Sequence, residues 1–326
     1  MDIFEPLLLE PSFKEKIWGG RRLEALLGKR LPPGPIGESW ELSTHPRGPS
    51  RVREGRFAGR SLEELIASYP EEILGPYIYG LGFHSLPLLV KFIDASQRLS
   101  VQVHPDDAYS LRHDGEAGKT EMWYVLDAPP GARLVFGLRA GVDRDGFAAA
   151  VAEGRVEETL RFLPIAGGDT LFVPPGTVHA ILEGVLLLEV QESSDATYRL
   201  YDWGRLGFDG RPRKLHLRKA LEVITFAFQG RVVRPQPEAT PYGSLALLAS
   251  CPYFQVERIA CRAQLNVGCA GDRFCALILT QGSGRLSFAG GSLAAGCGDT
   301  LLLPAAAGGI VYSPEAESEL IRIFVP

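Results

Sequence analysis

The chain is short of cysteine, of histidine and of long apolar runs, and each shortage removes a class of function. Its five cysteines are Cys251, Cys261, Cys269, Cys275 and Cys297. They are odd in number, fall in the last quarter and form no CxxC pair. That argues against a thiolate zinc site or a disulfide framework, and leads us to expect a reduced, cytoplasmic protein. No stretch approaches the roughly 20 apolar residues of a membrane span. The segment MDIFEPLLLEPSFKEKIWGG lacks a basic leader and a signal-like apolar run. Basic clusters are missing too: 34 Lys and Arg stand against 39 Asp and Glu, for a net charge of −5. A nucleic-acid partner is therefore not expected, because phosphate backbones recruit clustered Lys and Arg. Nor is a membrane partner expected. Histidine is confined to six positions, and none follows His216.

Glycine (37) and proline (24) are plentiful and punctuate the 326 residues throughout. Between them lie short apolar runs at 87–92, 99–104, 170–173, 185–190 and 275–280. Their lengths and flanks predict strands, and many short strands between turn signals predict a sandwich or barrel. Helices are expected to be few. Ser61 and Glu64 form a capping-box pattern at one helix start. The alanine-rich stretch 145–162 predicts two short helices divided at Gly154.

An internal repeat organises the chain. GDTLFVP at 168–174 recurs as GDTLLLP at 298–304, an offset of 130 residues. The preceding segments 123–126 and 276–279 correspond loosely. Two related β units follow, divided in the Pro-rich stretch near 232: residues 1–231 with a short helical insertion, and residues 232–326. The offset carries His179 onto Gly309, so the second unit has lost that histidine.

Alternate residues of a strand share a face. Ser100, Gln102 and His104 therefore point one way, and Val101 and Val103 the other. Pro105 ends that strand. Lys119, Glu121 and Trp123 share a face by the same rule, and a Pro-Gly turn brings His179 to the start of a new strand. Two imidazoles, a carboxylate and an amide oxygen suit zinc or another divalent transition metal. His104 or Glu121 alone would carry little meaning, since each has an ordinary core or ion-pair reading. The combination His-x16-Glu followed by Gly-Asp-x5-Pro-Gly-x2-His is far more specific.

That combination resembles the cupin pattern, in which two strand motifs place ligands inside a small β-barrel. Further segments narrow the resemblance: FKEKIWGG (13–20), GESWELS (37–43), LSVQVHPDD (99–107), GKTEMW (118–123), PGTVHA (175–180) and SDATYRLYD (194–202). Together they resemble the type I phosphomannose isomerases, above all the short bacterial members, from about residue 10 to 221. The last third is similar only as a degenerate cupin. The resemblance implies a mainly β fold of two cupin-type jelly-roll units with a few short helices. It implies one Zn²⁺ per chain held by Gln102, His104, Glu121 and His179. The implied reaction interconverts mannose 6-phosphate and fructose 6-phosphate through a cis-enediolate, with Arg199 as the catalytic arginine.

Glu189 has the parity to face the metal and matches an acidic family position, so it is a candidate for proton transfer. Pairing with Lys91 or Arg199 is its plainer reading. Lys91, Ser100 and Lys119 match polar substrate contacts of the family. A lysine inside the apolar run 88–93 otherwise lacks a reason, because burying an unpaired charge is costly. Two rival readings stand beside the isomerase: an iron-dependent cupin oxygenase, and a non-catalytic sugar-phosphate sensor. The cationic set Lys91, Lys119 and Arg199 favours a phosphorylated sugar over a neutral substrate. A sensor would be expected to have lost a ligand or Arg199. A monomer or weak homodimer is expected.

Overall fold

The computed structural model describes residues 4–269 and 271–326. Up to residue 201 the strands are β1 (Leu7–Glu10), β2 (Ser12–Gly20), β3 (Ile36–Leu42), β4 (Arg51–Val52), β5 (Leu88–Ala95), β6 (Val101–Val103) and β7 (Glu121–Asp127). They continue with β8 (Arg133–Leu138), β9 (Leu160–Pro164), β10 (Thr170–Val173), β11 (His179–Ile181), β12 (Val185–Glu192) and β13 (Tyr198–Tyr201). Later come β14 (Glu238–Thr240), β15 (Gly243–Ser250), β16 (Gln255–Cys261), β17 (Leu265–Asn266) and β18 (Cys275–Gln281). The last are β19 (Ser283–Phe288), β20 (Gly291–Gly296), β21 (Thr300–Leu303), β22 (Val311–Pro314) and β23 (Ser318–Phe324).

Two antiparallel sheets make the first β unit. One has the order β10-β7-β12-β5-β3-β2, the other β13-β6-β11-β8-β9. Trp18, Ile93, Trp123 and Leu187 from the first meet Leu134, Phe136 and Ile181 from the second in a shared core. The strand runs are β-branched and apolar enough to be buried, and the alternation decides which layer each residue enters. Val101 and Val103 pack outward with Phe147 and Ala220. Leu186, Leu188 and Val190 join a third core with Val256, Ile259 and Leu277 of the later strands. Ser100, Gln102, Glu189 and Gln191 are thus left facing inward, as the alternation predicts.

The later strands form an eight-stranded sheet, β14-β15-β16-β23-β18-β21-β1-β4, and a four-stranded one, β17-β22-β19-β20. The eight-stranded sheet borrows β1, whose Leu7 and Leu8 pair with Leu302 and Leu301. The fold is therefore mainly β, in the two cupin-type units expected. Among the described residues the longest helix, Arg144–Ala152, has nine residues, and no helix is long and apolar enough to cross a membrane.

The repeat is structural. Gly168 and Gly298 both hold left-handed backbone, at φ 88° and 86°. Asp169 and Asp299 each close the turn through a carboxylate accepting the N–H of Ala166 (2.7 Å) or Gly296 (2.9 Å). One detail corrects the sequence alignment. Trp123 pairs with Leu171, and Leu277 with Leu301. Trp123 thus corresponds to Leu277, one residue later than its alignment with Ala276, because the connection between the paired strands differs in length.

The stretch 145–162 also departs from expectation. Its first half is the helix Arg144–Ala152, capped by Asp143. Its second half is a single 3₁₀ turn, Val156–Thr159, followed by β9. Leu160 and Phe162 are claimed by the sheet, opposite Leu138 and Val135. Tertiary pairing outweighs local helix propensity there. The capping box of Ser61 and Glu64 is present, with both reciprocal hydrogen bonds.

Candidate active site

Sheet register assembles the site. On one wall, β11, β6 and β13 lie side by side, setting His179 and Arg199 on either side of Gln102. On the opposite wall, Glu189 lies between Lys91 and Trp123, and Gln191 beside Glu121. The turn before β11 is fixed by Gly176, at φ 80°. Its N–H donates to the carbonyl of His104 at 2.8 Å, and its carbonyl accepts from Thr225 N–H at 2.9 Å. One glycine thus stitches the segment carrying His104 to the segment carrying His179.

His104, Glu121 and His179 offer ligand atoms that all lie within 4.8 Å of one another. All three residues are almost fully buried, at 1 %, 0 % and 1 % exposure. Each imidazole is oriented from behind. His104 Nδ1–H donates to the carbonyl of Ala196 at 2.7 Å, and His179 Nδ1–H to that of Thr177 at 2.9 Å. That leaves both Nε2 lone pairs aimed inward, the arrangement a metal-binding histidine needs. Gln102 joins them, its amide 3.5 Å from His104 Nε2 and 3.3 Å from His179 Nε2. Either end of that amide can face the imidazoles, because oxygen and nitrogen exchange on a flip.

The electrostatics match. Burial pushes both imidazoles below their usual range, and the Lys119 ammonium adds to it. They are therefore held neutral, which is the ligand form. Burial alone would raise the Glu121 carboxyl, but the Lys119 ammonium holds it well below the carboxylate range. Lys119 Nζ stands 2.7 Å from Glu121 Oε1 and 3.4 Å from His104 Nε2. Neither Glu121 oxygen receives an aligned hydrogen bond from a described residue. A buried carboxylate without aligned donors, facing two imidazole lone pairs and an amide, fits a divalent transition metal.

In front of this group lies a cavity of about 250 Å³. It reaches Gln102 and Lys119, and it is also lined by Lys91, Ser100, Glu189 and Arg199. All the site residues expected from sequence are therefore in the cavity or directly behind it. Glu189 is buried at 4 % exposure. It accepts from Trp123 Nε1 at 3.0 Å and pairs with Lys91 Nζ at 3.3 Å. Burial and the Glu121 charge raise its carboxyl above the ordinary range. Arg199 donates from Nη1 to the carbonyl of Lys214 at 2.8 Å, and its Nε is buried without a partner among the described residues. Ser100 Oγ is 3.4 Å from Gln102 Oε1.

Other lining residues escaped the sequence reading: Lys16, Glu38, Arg47, Asp195 and Arg213. Lys16 pairs with Glu38 at 3.0 Å, and Arg47 with Asp195 at 2.8 Å. Burial favours the neutral Glu38 carboxyl, yet Lys16 and Lys91 draw it down to about 2. The available signal was parity, since Lys16 lies two residues from Trp18, which also lines the cavity. Among charged lining residues, six cations (Lys16, Arg47, Lys91, Lys119, Arg199, Arg213) face three acids (Glu38, Glu189, Asp195). Such a cavity suits an anionic, hydroxyl-rich ligand.

Comparisons with known proteins agree with the geometry. Residues 7–122 match the family described as phosphomannose isomerase type I, catalytic domain. The mannose-6-phosphate isomerase of Streptococcus mutans is 38 % identical over 303 residues, covering 92 % of each chain. The mannose-6-phosphate isomerase ManA of Bacillus subtilis is 43 % identical over 222 residues, 68 % of each chain. The crystal structure of the mannose 6-phosphate isomerase from Bacillus subtilis superposes with a TM-score of 0.90 at 33 % identity, covering 98 % of this chain and 99 % of that one.

Proposed function

The chain belongs to the mannose-6-phosphate isomerase family and is an isomerase, and from that premise we propose that it interconverts mannose 6-phosphate and fructose 6-phosphate with one Zn²⁺ held by Gln102, His104, Glu121 and His179. The observation that carries the reading is the buried pair of oriented imidazoles and the carboxylate without aligned donors, opening onto a cationic cavity. When bound, the ion would polarise the sugar's carbonyl as a Lewis acid.

The chain's own residues supply the rest. An aldose–ketose exchange removes a proton from the carbon next to a carbonyl and returns it to the neighbouring carbon. Glu189 is the group to carry it. Its carboxyl is buried, raised by burial and the Glu121 charge, and reaches the cavity. A raised carboxyl is better matched to taking and giving a proton near neutral pH. Loss of the proton leaves a cis-enediolate with charge on oxygen. Arg199, whose Nε has no hydrogen-bond partner among the described residues, offers a permanent cation where that charge grows. Lys91, Ser100 and Lys119 are assigned to the substrate's oxygens, and the phosphate is expected among the cavity's cations. Trp18 and Trp123 are core members that keep water from the inner wall.

An iron-dependent oxygenase draws no support from the cavity, whose six cations favour a phosphorylated ligand. A sensor without catalysis draws none either, since Arg199 and all four proposed ligands are in place. The direct test is a coupled assay with mannose 6-phosphate, before chelation, after it, and after zinc is restored. Activity should vanish and return. His179→Ala should lose bound metal and turnover together. Full turnover in the chelated enzyme, or normal metal content in that variant, would overturn the assignment.

A further inference from the structure

The segment Gly118–Thr120 delivers Lys119 and Glu121 to the site, yet it is an irregular stretch between a helix and β7. Two acids hold it from outside the cavity. Glu192 Oε1 accepts the N–H of Thr120 at 2.7 Å, and Asp107 Oδ1 accepts the N–H of Gly118 at 2.8 Å. The contact is close: a Cβ on Gly118 would stand 2.4 Å from Asp107 N. The carbonyl of Thr120 accepts in return from Glu192 N–H at 3.2 Å. The two acids also hydrogen-bond each other through their side chains. Tyr253, between β15 and β16, donates its hydroxyl to Asp107 Oδ2 at 3.0 Å.

We propose that Asp107 and Glu192 form a positioning clamp on residues 118–120, and that Tyr253 ties the clamp to the second β unit. The inference rests on the assignment of Lys119 and Glu121 to the active site. The clamp fixes the N–H groups of Gly118 and Thr120 on the side away from the cavity, so the residues between and after them present Lys119 and Glu121 inward as a pair. Two carboxyl groups joined by a hydrogen bond need one proton between them. Burial places that proton on Glu192, whose carboxyl is pushed up to about 7. The charged and titratable groups around it are Asp107 from the helix Asp107–His113, and Tyr253 and Cys251 from the turn after β15. A glutamine at 192 would accept from Thr120 and donate to Asp107 with no proton required.

Two variants, Glu192→Ala and Glu192→Gln, test the clamp. For each, kcat and KM for mannose 6-phosphate, zinc dissociation by chelator competition, and thermal midpoint are measured across pH. Glu192→Ala should lose about ten- to a hundredfold in zinc affinity or kcat, the usual cost of removing support behind a ligand. Glu192→Gln should restore both on the acid side of pH 7. Its ratio to the parent should then rise as pH passes through about 7, where the parent loses the shared proton. The proposal is overturned if Glu192→Ala leaves zinc dissociation and kcat unchanged, whether or not its thermal midpoint falls. It is overturned too if the Gln-to-parent ratio is flat with pH. Should the parent itself fail to isomerise mannose 6-phosphate, the zinc measurement still decides the clamp separately from the activity.

Discussion

At the scale of single residues, Arg199 is where chemistry and position separate most cleanly. Its guanidinium is anchored by Nη1 on the carbonyl of Lys214, and its Nε is buried without a hydrogen-bond partner among the described residues. A lysine is a point charge and cannot hold that carbonyl and reach into the cavity at once. Arg199→Lys is expected to cost roughly a hundredfold in kcat, the scale of losing one preorganised charge donor. Metal content should not change, because the Arg199 side chain is hydrogen-bonded to the carbonyl of Lys214 and to none of the four proposed ligands. Elemental analysis beside steady-state kinetics reads both, and unaltered turnover would remove Arg199 from the mechanism. The candidate ligands were legible in sequence because each sits in a local pattern: Gln102 and His104 two apart at the end of a strand, Glu121 at a strand start, His179 after a Pro-Gly turn. Glu38, Arg47, Asp195 and Arg213 were not, since they come from distant segments and meet only in the cavity.

At the scale of elements, the tight turn before β11 does the positioning. A Cβ on Gly176 would lie 2.4 Å from Thr225 Oγ1 and 2.7 Å from the carbonyl of Val223, on left-handed backbone. Gly154 offers a control: its φ is 70° but nothing lies within 4 Å of an added Cβ. Each substitution to alanine incurs the left-handed cost of about 1–2 kcal/mol. Only Gly176→Ala must also displace the turn that joins His104 to His179. It should lower the thermal midpoint further than Gly154→Ala and weaken zinc retention, while Gly154→Ala retains zinc normally. Equal zinc retention in the two would mean that the turn does not set the ligand spacing. The same scale shows where local sequence runs out. The stretch 145–162 has helical composition throughout, yet only its first half is a helix, because Leu160 and Phe162 have cross-strand partners that no local pattern announces.

At the scale of the whole molecule, the two β units of the sequence repeat are tied by more than a linker. We propose the division at residues 231 and 232 as topological, with the two parts folding as one cooperative body. The strand β1 belongs to the first part of the chain, residues 1–231, but pairs with β21 of the other unit, a pairing that three leucines and a glutamate could not disclose. Glu41 is buried and accepts from both Lys29 Nζ at 2.6 Å and Thr300 Oγ1 at 2.7 Å. Leu7, Leu8, Leu186, Leu188 and Val190 share one core with the later strands. Full burial of such a side chain is worth about 1.5–3 kcal/mol. Uncovering all five amounts to of order 10 kcal/mol, comparable with the 5–15 kcal/mol net stability of an ordinary domain. A chain ending at residue 231 would keep every proposed metal ligand and Arg199, yet lose that cover and the Tyr253 tie to Asp107. It should therefore show no cooperative thermal transition and retain no zinc, whereas the full chain melts in one step. A sharp transition and stoichiometric zinc in the shortened chain would mean that the second unit is dispensable to the first, and that its degenerate site persists for some reason other than stability.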